Sequence, residues 1–350
     1  MTTHSRSTGV PLSVLDVVPV FEDGSATGAL RDTVAIAPRI EALGYHRYWV
    51  AEHHNTPSLA TSAPGILIGQ LAAVTDTLRV GSGGVLLPNH APLVVAEQFG
   101  TLEALHPGRI DLGLGRAPGA DSLTARALRR SPERGPDDFS RQIAELDGYF
   151  APGDPDSGIT AVPAADARPE LWMLGSSPAS AEAAGALGLP YAFAHQINPD
   201  ASAYALELYR SAFRPSAHLA RPRTLIAVLA TVAESDQAAF EVAAPYLLGK
   251  ILMRTSRRFT SFPTAATALA HPYSTAERRF LDELAEPQLI GGPQTVREKL
   301  SALLARTGAD EVMALTVVHG QEERLRSFEL LAAAASELRS DSESEASVPL

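Results

Sequence analysis

The sequence predicts an α/β chain folded as one (β/α)8 TIM barrel over residues 1–338, with a helical insertion after the seventh strand. Three observations predict it. Short apolar, β-branched runs alternate with helix-period segments along the chain, the pattern of successive βα units and a parallel sheet. Eight strand runs can be counted, the number that closes a barrel. The fourth run, residues 109–115, carries Ile110, Leu112 and Leu114 on one face and Arg109, Asp111, Gly113 and Gly115 on the other. A strand buried on both sides of an open sheet is usually apolar on both faces, whereas small and polar residues on one face suit a barrel interior near a ligand.

The elements follow in order. Residues 12–18 read as the first strand. Leu30, Val34, Ala37, Ile40 and Leu43 recur at helical spacing, with Pro38 expected to kink that helix or mark a late start, and Gly44 to cap its end. Residues 45–51 read as the second strand, 63–75 as a helix, 78–87 as the third strand, 93–105 as a helix and 109–115 as the fourth strand. Residues 117–136, rich in Arg, Pro, Gly and Ser, form a long excursion at the expected active-site rim, and 137–150 return to helix. Residues 151–168 have the composition of a linker, but strand and helix units resume at once: 170–174, 179–187, 191–195, 201–213 and 224–232. Residues 235–290 do not fit one barrel helix and are read as the seventh helix with a helical insertion. Residues 311–318 give the eighth strand and 321–338 the closing helix. The polar, low-complexity tail 339–350 is expected to be disordered.

Bulk properties exclude several functions. The chain has 40 acidic and 29 basic residues, a formal net charge of −11. A diffuse acidic balance disfavours nucleic acid, which needs a concentrated basic face. The short cluster Arg126, Arg129 and Arg130 reads as a solvated loop. Absence of cysteine excludes disulfides, thiolate nucleophiles and Cys-ligated zinc, and fits a cytoplasmic location. Residues 1–10 lack the apolar core of a signal peptide, and no apolar run approaches the ~18 residues that span a bilayer.

In such barrels the site lies at the C-terminal ends of the strands. That filter selects Glu52, His53 and His54, then Gly83 and Gly84, Gly115 and Arg116, Gly175, Ser176 and Ser177, His195 and Gln196, and His319. Any one of these is ordinary strand-to-loop punctuation; their convergence from six strands reads as a site. Imidazoles titrate near neutral pH, so the His pair suits acid–base work, with Glu52 able to fix a tautomer. The spacing does not match H-x-x-x-H and no other His-rich motif supports a metal, so none is expected. Gly175-Ser176-Ser177-Pro178 opens a helix whose N–H groups and dipole favour an anion, with Ser180 one turn further in; it suits a plain N-cap equally. Arg116 tips that balance toward a phosphate. Gly81-Ser82-Gly83-Gly84 is not a P-loop and lies inside a strand, where glycine signals close approach of something flat. No third glycine follows Gly113-x-Gly115 at dinucleotide-fold spacing.

These residues resemble the bacterial-luciferase-like flavin-dependent oxidoreductases, over roughly residues 12–335. The segments that carry the resemblance are YWVAEHH (48–54), RVGSGGVLLPNHAPLVVAEQF (79–99), HPGRIDLGLGRAPG (106–119) and LWMLGSSPASAEAAGALGLPYAFAHQ (171–196). The resemblance implies that His53 and His54 lie by a flavin, with His53 the acid–base candidate. It implies a non-proline cis bond at Gly83–Gly84 behind the isoalloxazine ring, and a flavin phosphate held by Arg116, Ser176, Ser177 and Ser180. His195, Gln196 and His319 are then candidates for the substrate pocket.

Gly115 stands where luciferase has its reactive cysteine, so light emission is not implied. The nearer likeness is to members of bacterial secondary metabolism. The expected reaction is oxygenation of a small organic substrate by reduced FMN and dioxygen through a C4a-peroxyflavin. No nicotinamide fingerprint is visible, so a separate flavin reductase is the expected supplier. The alternatives are a hydride-transfer enzyme using a deazaflavin and a flavin-binding protein without catalysis. Small and apolar residues on the helices at 63–75 and 93–105 imply, by the same resemblance, a homodimer.

Overall fold

The structure is a computed structural model that describes residues 9–116, 122–128, 136–151, 158–256 and 259–346. Its strands are β1 (Leu12–Asp16), β2 (Arg47–Val50), β3 (Arg79–Leu86), β4 (Ile110–Gly115), β5 (Glu170–Gly175), β6 (Tyr191–Ala194), β7 (Thr224–Val232), β8 (Leu289–Gly291) and β9 (Glu311–Leu315). All pairings between them are parallel, in the order β6-β5-β4-β3-β2-β1-β9-β7, and β6 pairs with β7 to close an eight-stranded barrel. The short β8 lies outside the ring, against the end of β7. The barrel is a (β/α)8 TIM barrel, so β9 is its eighth strand.

Alternation along the strands divides the core in two. Val14, Tyr48, Val80, Leu112, Ile226 and Val312 point outward and are buried under the helices. Leu15, Trp49, Trp172, Leu225, Met313 and Leu315 point inward and fill the barrel. Closure explains why the inner face can hold large aromatics without a second helical layer.

The surrounding helices are α1 (Ala26–Ala42), α2 (Pro64–Ala73), α3 (Pro92–Leu105), α4 (Ser122–Ala127), α5 (Pro136–Tyr149), α6 (Pro178–Leu187), α7 (Ser202–Ala212), α8 (Asp236–Thr255), α9 (Ala265–Ala270), α10 (Thr275–Ala285), α11 (Pro293–Thr307) and α12 (Gln321–Ala346). Three expectations need correction. Of the two roles expected for Pro38, a late start is excluded: the Ser25 hydroxyl accepts from the Gly28 N–H at 3.1 Å and starts α1 at Ala26, and Pro38 lies inside the helix just before its last turn. Gly44 does close that helix, in the left-handed region at φ 79°. Second, the barrel helix before the last strand is α11, not part of 235–290. Val296, Leu300, Leu303 and Thr307 form its buried face, and Gly308 ends it at φ 57°. The insertion is therefore α8, α9, α10 and β8. Third, the closing helix runs past Leu338 to Ala346.

The N-terminal end of the barrel is plugged by ions. Arg47, 3% exposed, reaches Glu311 at 2.8 Å, Asp111 at 2.8 Å and Glu170 at 3.2 Å. Arg79 also pairs with Asp111, and Arg223 with Glu170. The Trp49 indole N–H donates to Asp111 at 2.9 Å, and Trp172 lies under the Arg47 guanidinium at 4.9 Å. Asp111 therefore belongs to this plug and not to a ligand site, and Arg109 lies outside the barrel, donating to the Ala72 carbonyl and the Thr75 hydroxyl beside α2. Burial alone would raise the Asp111 carboxyl, but Arg47 and Arg79 hold it below the usual carboxylate range. Its stabilising contribution is thus present at neutral pH and is lost as the pH falls from the ordinary carboxylate range through that lowered value.

Removing one partner of a buried ionic set leaves uncompensated charge. Arg47→Met is expected to cost about 3–5 kcal/mol of stability, read as a lower thermal or urea midpoint; a midpoint unchanged from wild type would show the plug to be dispensable.

Candidate active site

Above the plug, Trp49 and Trp172 pack edge to face at 5.4 Å, and Trp49 forms the floor of the site. Over it opens a cavity of about 940 Å³ at the C-terminal mouth, to which all eight barrel strands or their ends contribute. The wall from β3 and β4 is bare backbone. Gly83–Gly84 is a cis peptide, as expected. A Cβ on Gly84 would lie 2.7 Å from the Gly113 carbonyl oxygen, and one on Gly83 would lie 2.6 Å from Leu15. The Ser82 hydroxyl donates to the Gly113 carbonyl at 2.9 Å and accepts from its N–H at 3.0 Å. The β3–β4 register shifts between Ser82 and Val85. Side chains are excluded here because the two strands approach too closely.

The neighbouring wall is the start of α6. Ser177 is its N-cap, in a capping box with Ser180. Gly175, Ser176, Ser177 and Ser180 all line the cavity, with Arg116 beside them. Arg116 is exposed and forms no ion pair among the described residues. Ser180 is committed elsewhere: its hydroxyl contacts the Ser177 carbonyl at 2.7 Å and the Tyr191 hydroxyl at 2.8 Å, so its first role is to shape the turn. A Cβ on Gly175 would collide with that same hydroxyl.

The three residues after β2 divide their work. His53 lines the cavity, its Nδ1 3.4 Å from the Thr61 hydroxyl. Burial pushes its imidazole below the ordinary value, so it is neutral at pH 7. Glu52 and His54 lie behind it. One Glu52 oxygen accepts from Nε2 of His54 at 2.7 Å and Nε2 of His90 at 2.8 Å, while the other accepts the Leu86 N–H at 3.0 Å. Burial would raise this carboxyl; the bonds from His90, Leu86 and His54 outweigh that and keep it ionised. Ligand atoms of Glu52, His54 and His90 lie within 4.8 Å of one another, a donor set of metal-binding composition. Spacing within 52–54 could not disclose it, because His90 comes from the short 3-10 turn after β3.

The remaining candidates separate. Gln196 lines the cavity and its Oε1 lacks a partner among the described residues. His195 is fully buried outside the lining, with Nε2 on the Pro287 carbonyl at 2.9 Å. His319 faces a different, smaller cavity of about 250 Å³ and pairs with Asp23 at 3.0 Å. Neither belongs to the main pocket's lining. Residues absent from the sequence-based set include Gln142 on α5, whose amide atoms are buried without partners among the described residues, and Tyr246, Lys250 and Met253 on α8 with Phe262. A helical repeat alone gave them no signal, because their elements lie in excursions whose packing onto the mouth is not local.

A model of the luciferase-like monooxygenase family matches residues 10–311, and the chain belongs to that family. A luciferase-like monooxygenase of Escherichia coli (strain K12) is 42% identical, over 92% of this chain and 96% of the relative. The crystal structure of apo-MsnO8 is 41% identical and superposes with a TM-score of 0.85, covering 93% of this chain and 98% of that one. The oxygenating constituent of 3,6-diketocamphane monooxygenase from the CAM plasmid of Pseudomonas putida, a type II Baeyer-Villiger monooxygenase solved in complex with FMN, shares the fold at a TM-score of 0.73 and 18% identity, covering 94% and 99%. The chain is thus an enzyme of the monooxygenase type.

Two outcomes follow from the geometry. The His53 imidazole should titrate in NMR with a midpoint below the ordinary histidine value, so the folded state resists its protonation and stability declines as the pH drops below that ordinary value; a midpoint at or above it contradicts the burial account. Gly84→Ala should lower stability by about 1–3 kcal/mol, since backbone on both strands must move. Calorimetric melting checks this, and an unshifted melt would mean that β3 and β4 separate freely.

Proposed function

We propose that the enzyme binds reduced FMN, delivered by a separate reductase, and uses dioxygen to oxygenate a small organic substrate. The observation that carries this reading is that an anion cradle, a strip of bare backbone and a neutral imidazole share one cavity. The residues fit such a cofactor. Arg116, with no ion pair among the described residues, and the N–H groups and hydroxyls at Ser176 and Ser177 suit a phosphate. Gly83, Gly84 and Gly115 line the cavity without side chains, which leaves the space a flat ring needs. The amides of Gln142 and Gln196 offer donors and acceptors to polar ring edges. When bound, reduced flavin supplies the electrons that activate dioxygen for transfer of one oxygen atom, the other leaving as water.

The chain's own residues then do three things. Trp49, Leu15, Leu174 and Phe262 wall off water, which protects a reactive centre from wasteful decay. His53, held neutral, accepts or returns a proton at Nε2 or Nδ1 on the reacting side. Glu52 positions the β2 loop, tying His54, His90 and the Leu86 N–H together so that His53 stays fixed toward the cavity. Association as a homodimer is part of the same proposal: Ile66 on α2, 75% exposed, and Val94 and Leu105 on α3 leave apolar surface on adjoining helices. No helix among the described residues is long and apolar enough to cross a membrane.

Equilibrium binding tests the cofactor. Arg116→Met should weaken FMN by roughly 10- to 100-fold, the worth of a charge-assisted contact, while riboflavin, which lacks the phosphate, should be unaffected. Equal losses for both ligands would place the phosphate elsewhere. Tighter binding of a deazaflavin than of FMN would favour hydride transfer instead. For the assembly, sedimentation of wild type should give a dimer and Ile66→Asp a monomer; a monomeric wild type rejects it.

A further inference from the structure

The cavity wall opposite the glycine strip belongs to the insertion. Tyr246, Lys250 and Met253 come from one face of α8, and Phe262 packs on Tyr246. Tyr246 and Phe262 stack at 6.2 Å with 17° between planes, and Phe259 meets Phe262 edge to face at 5.2 Å. Into this aromatic surface projects one cation. The Lys250 ammonium sits 5.2 Å from the Tyr246 ring centroid, half-buried, with no carboxylate partner among the described residues.

The charge of the lining is the second observation. Acidic residues outnumber basic ones by 40 to 29 in the chain, yet no Asp or Glu lines the cavity among the described residues. The full cations among its described lining are Arg116 and Lys250. They stand on different parts of the ring: Arg116 follows β4, while Lys250 is on the helix after β7. Arg116 is absorbed by the phosphate cradle; Lys250 is not.

We propose that Lys250 is a specificity-determining residue and that the substrate is an amphiphilic carboxylate, its acid group on the Lys250 ammonium and its apolar body against Tyr246, Met253 and Phe262. A partly desolvated ammonium in a pocket whose described lining holds no carboxylate attracts a ligand anion strongly, because few counter-ions compete. One point charge, with no second cation on that wall among the described residues, suits a monoanion better than a phosphate dianion. That the bound acid is the substrate rests on the monooxygenase reading; that it binds does not.

The test is calorimetric titration of the full chain with decanoate and phenylbutanoate, each beside its methyl ester. Wild type should prefer the acids by roughly tenfold, the worth of a modest charge-assisted contact. Lys250→Met should erase that preference while keeping ester affinity, which reports an intact pocket; Lys250→Arg should retain it. Arg116→Met should retain it too. No acid preference in wild type, a preference surviving Lys250→Met, or one lost only in Arg116→Met overturns the proposal. Should Lys250→Met fail to fold, Lys250→Gln is read by the same criteria. These titrations need neither reductant nor oxygen, so an enzyme that fails to turn over still reports acid binding at Lys250.

Discussion

The barrel depends on the burial of Arg47 among Asp111, Glu170 and Glu311. A buried guanidinium is costly unless its donors are taken, and here acceptors arrive from three other strands. The set therefore specifies which strands meet and at what height. Trp49 and Trp172 inherit their positions from it, one through a hydrogen bond to Asp111 and the other beneath the guanidinium. The cavity floor is in effect the upper surface of an ionic lock.

Above that floor the two sides of the mouth are built on different terms. Toward β3 and β4, backbone meets backbone, and Ser82 bonds both ways to Gly113. Toward the insertion, α8 and Phe262 supply aromatic and flexible side chains on a helix that is not part of the ring. Between them, Glu52 gathers two imidazoles and a backbone N–H, so the residue that faces the cavity is held by a group that does not. Rigid elements thus carry the proposed cofactor and proton groups, and an added element carries the surface proposed for the substrate.

Sequence made most of the ring legible because its strands are short, β-branched and separated by clear helix signals; β7 and its neighbours coincide with the expected runs. Reading was poorest where meaning is collective. Arg47, Glu170 and Glu311 fall within the expected strands, but nothing local says that they share one interior. His90 hides in a 3-10 turn distant from Glu52. α11 escaped notice because its polar face and Pro293 blend into the end of a long helical insertion. The cis bond at Gly83–Gly84 was accessible through resemblance alone; periodicity cannot register it. Conversely, His195 and His319 satisfied the strand-end rule yet lie outside the lining, because that rule fixes height on the barrel and not the direction of a side chain.

The close approach of Gly84 to Gly113 has a consequence for how the family can diversify. Variation on that side displaces two strands that also carry the ionic lock, so each single substitution there costs stability. On α8, by contrast, Lys250 and Met253 are only partly buried side chains on a helix outside the ring, so a change there does not require two strands to move. If the proposed division holds, exchanging residues 236–285 between relatives would rewrite what the pocket accepts and leave the strand-built side intact.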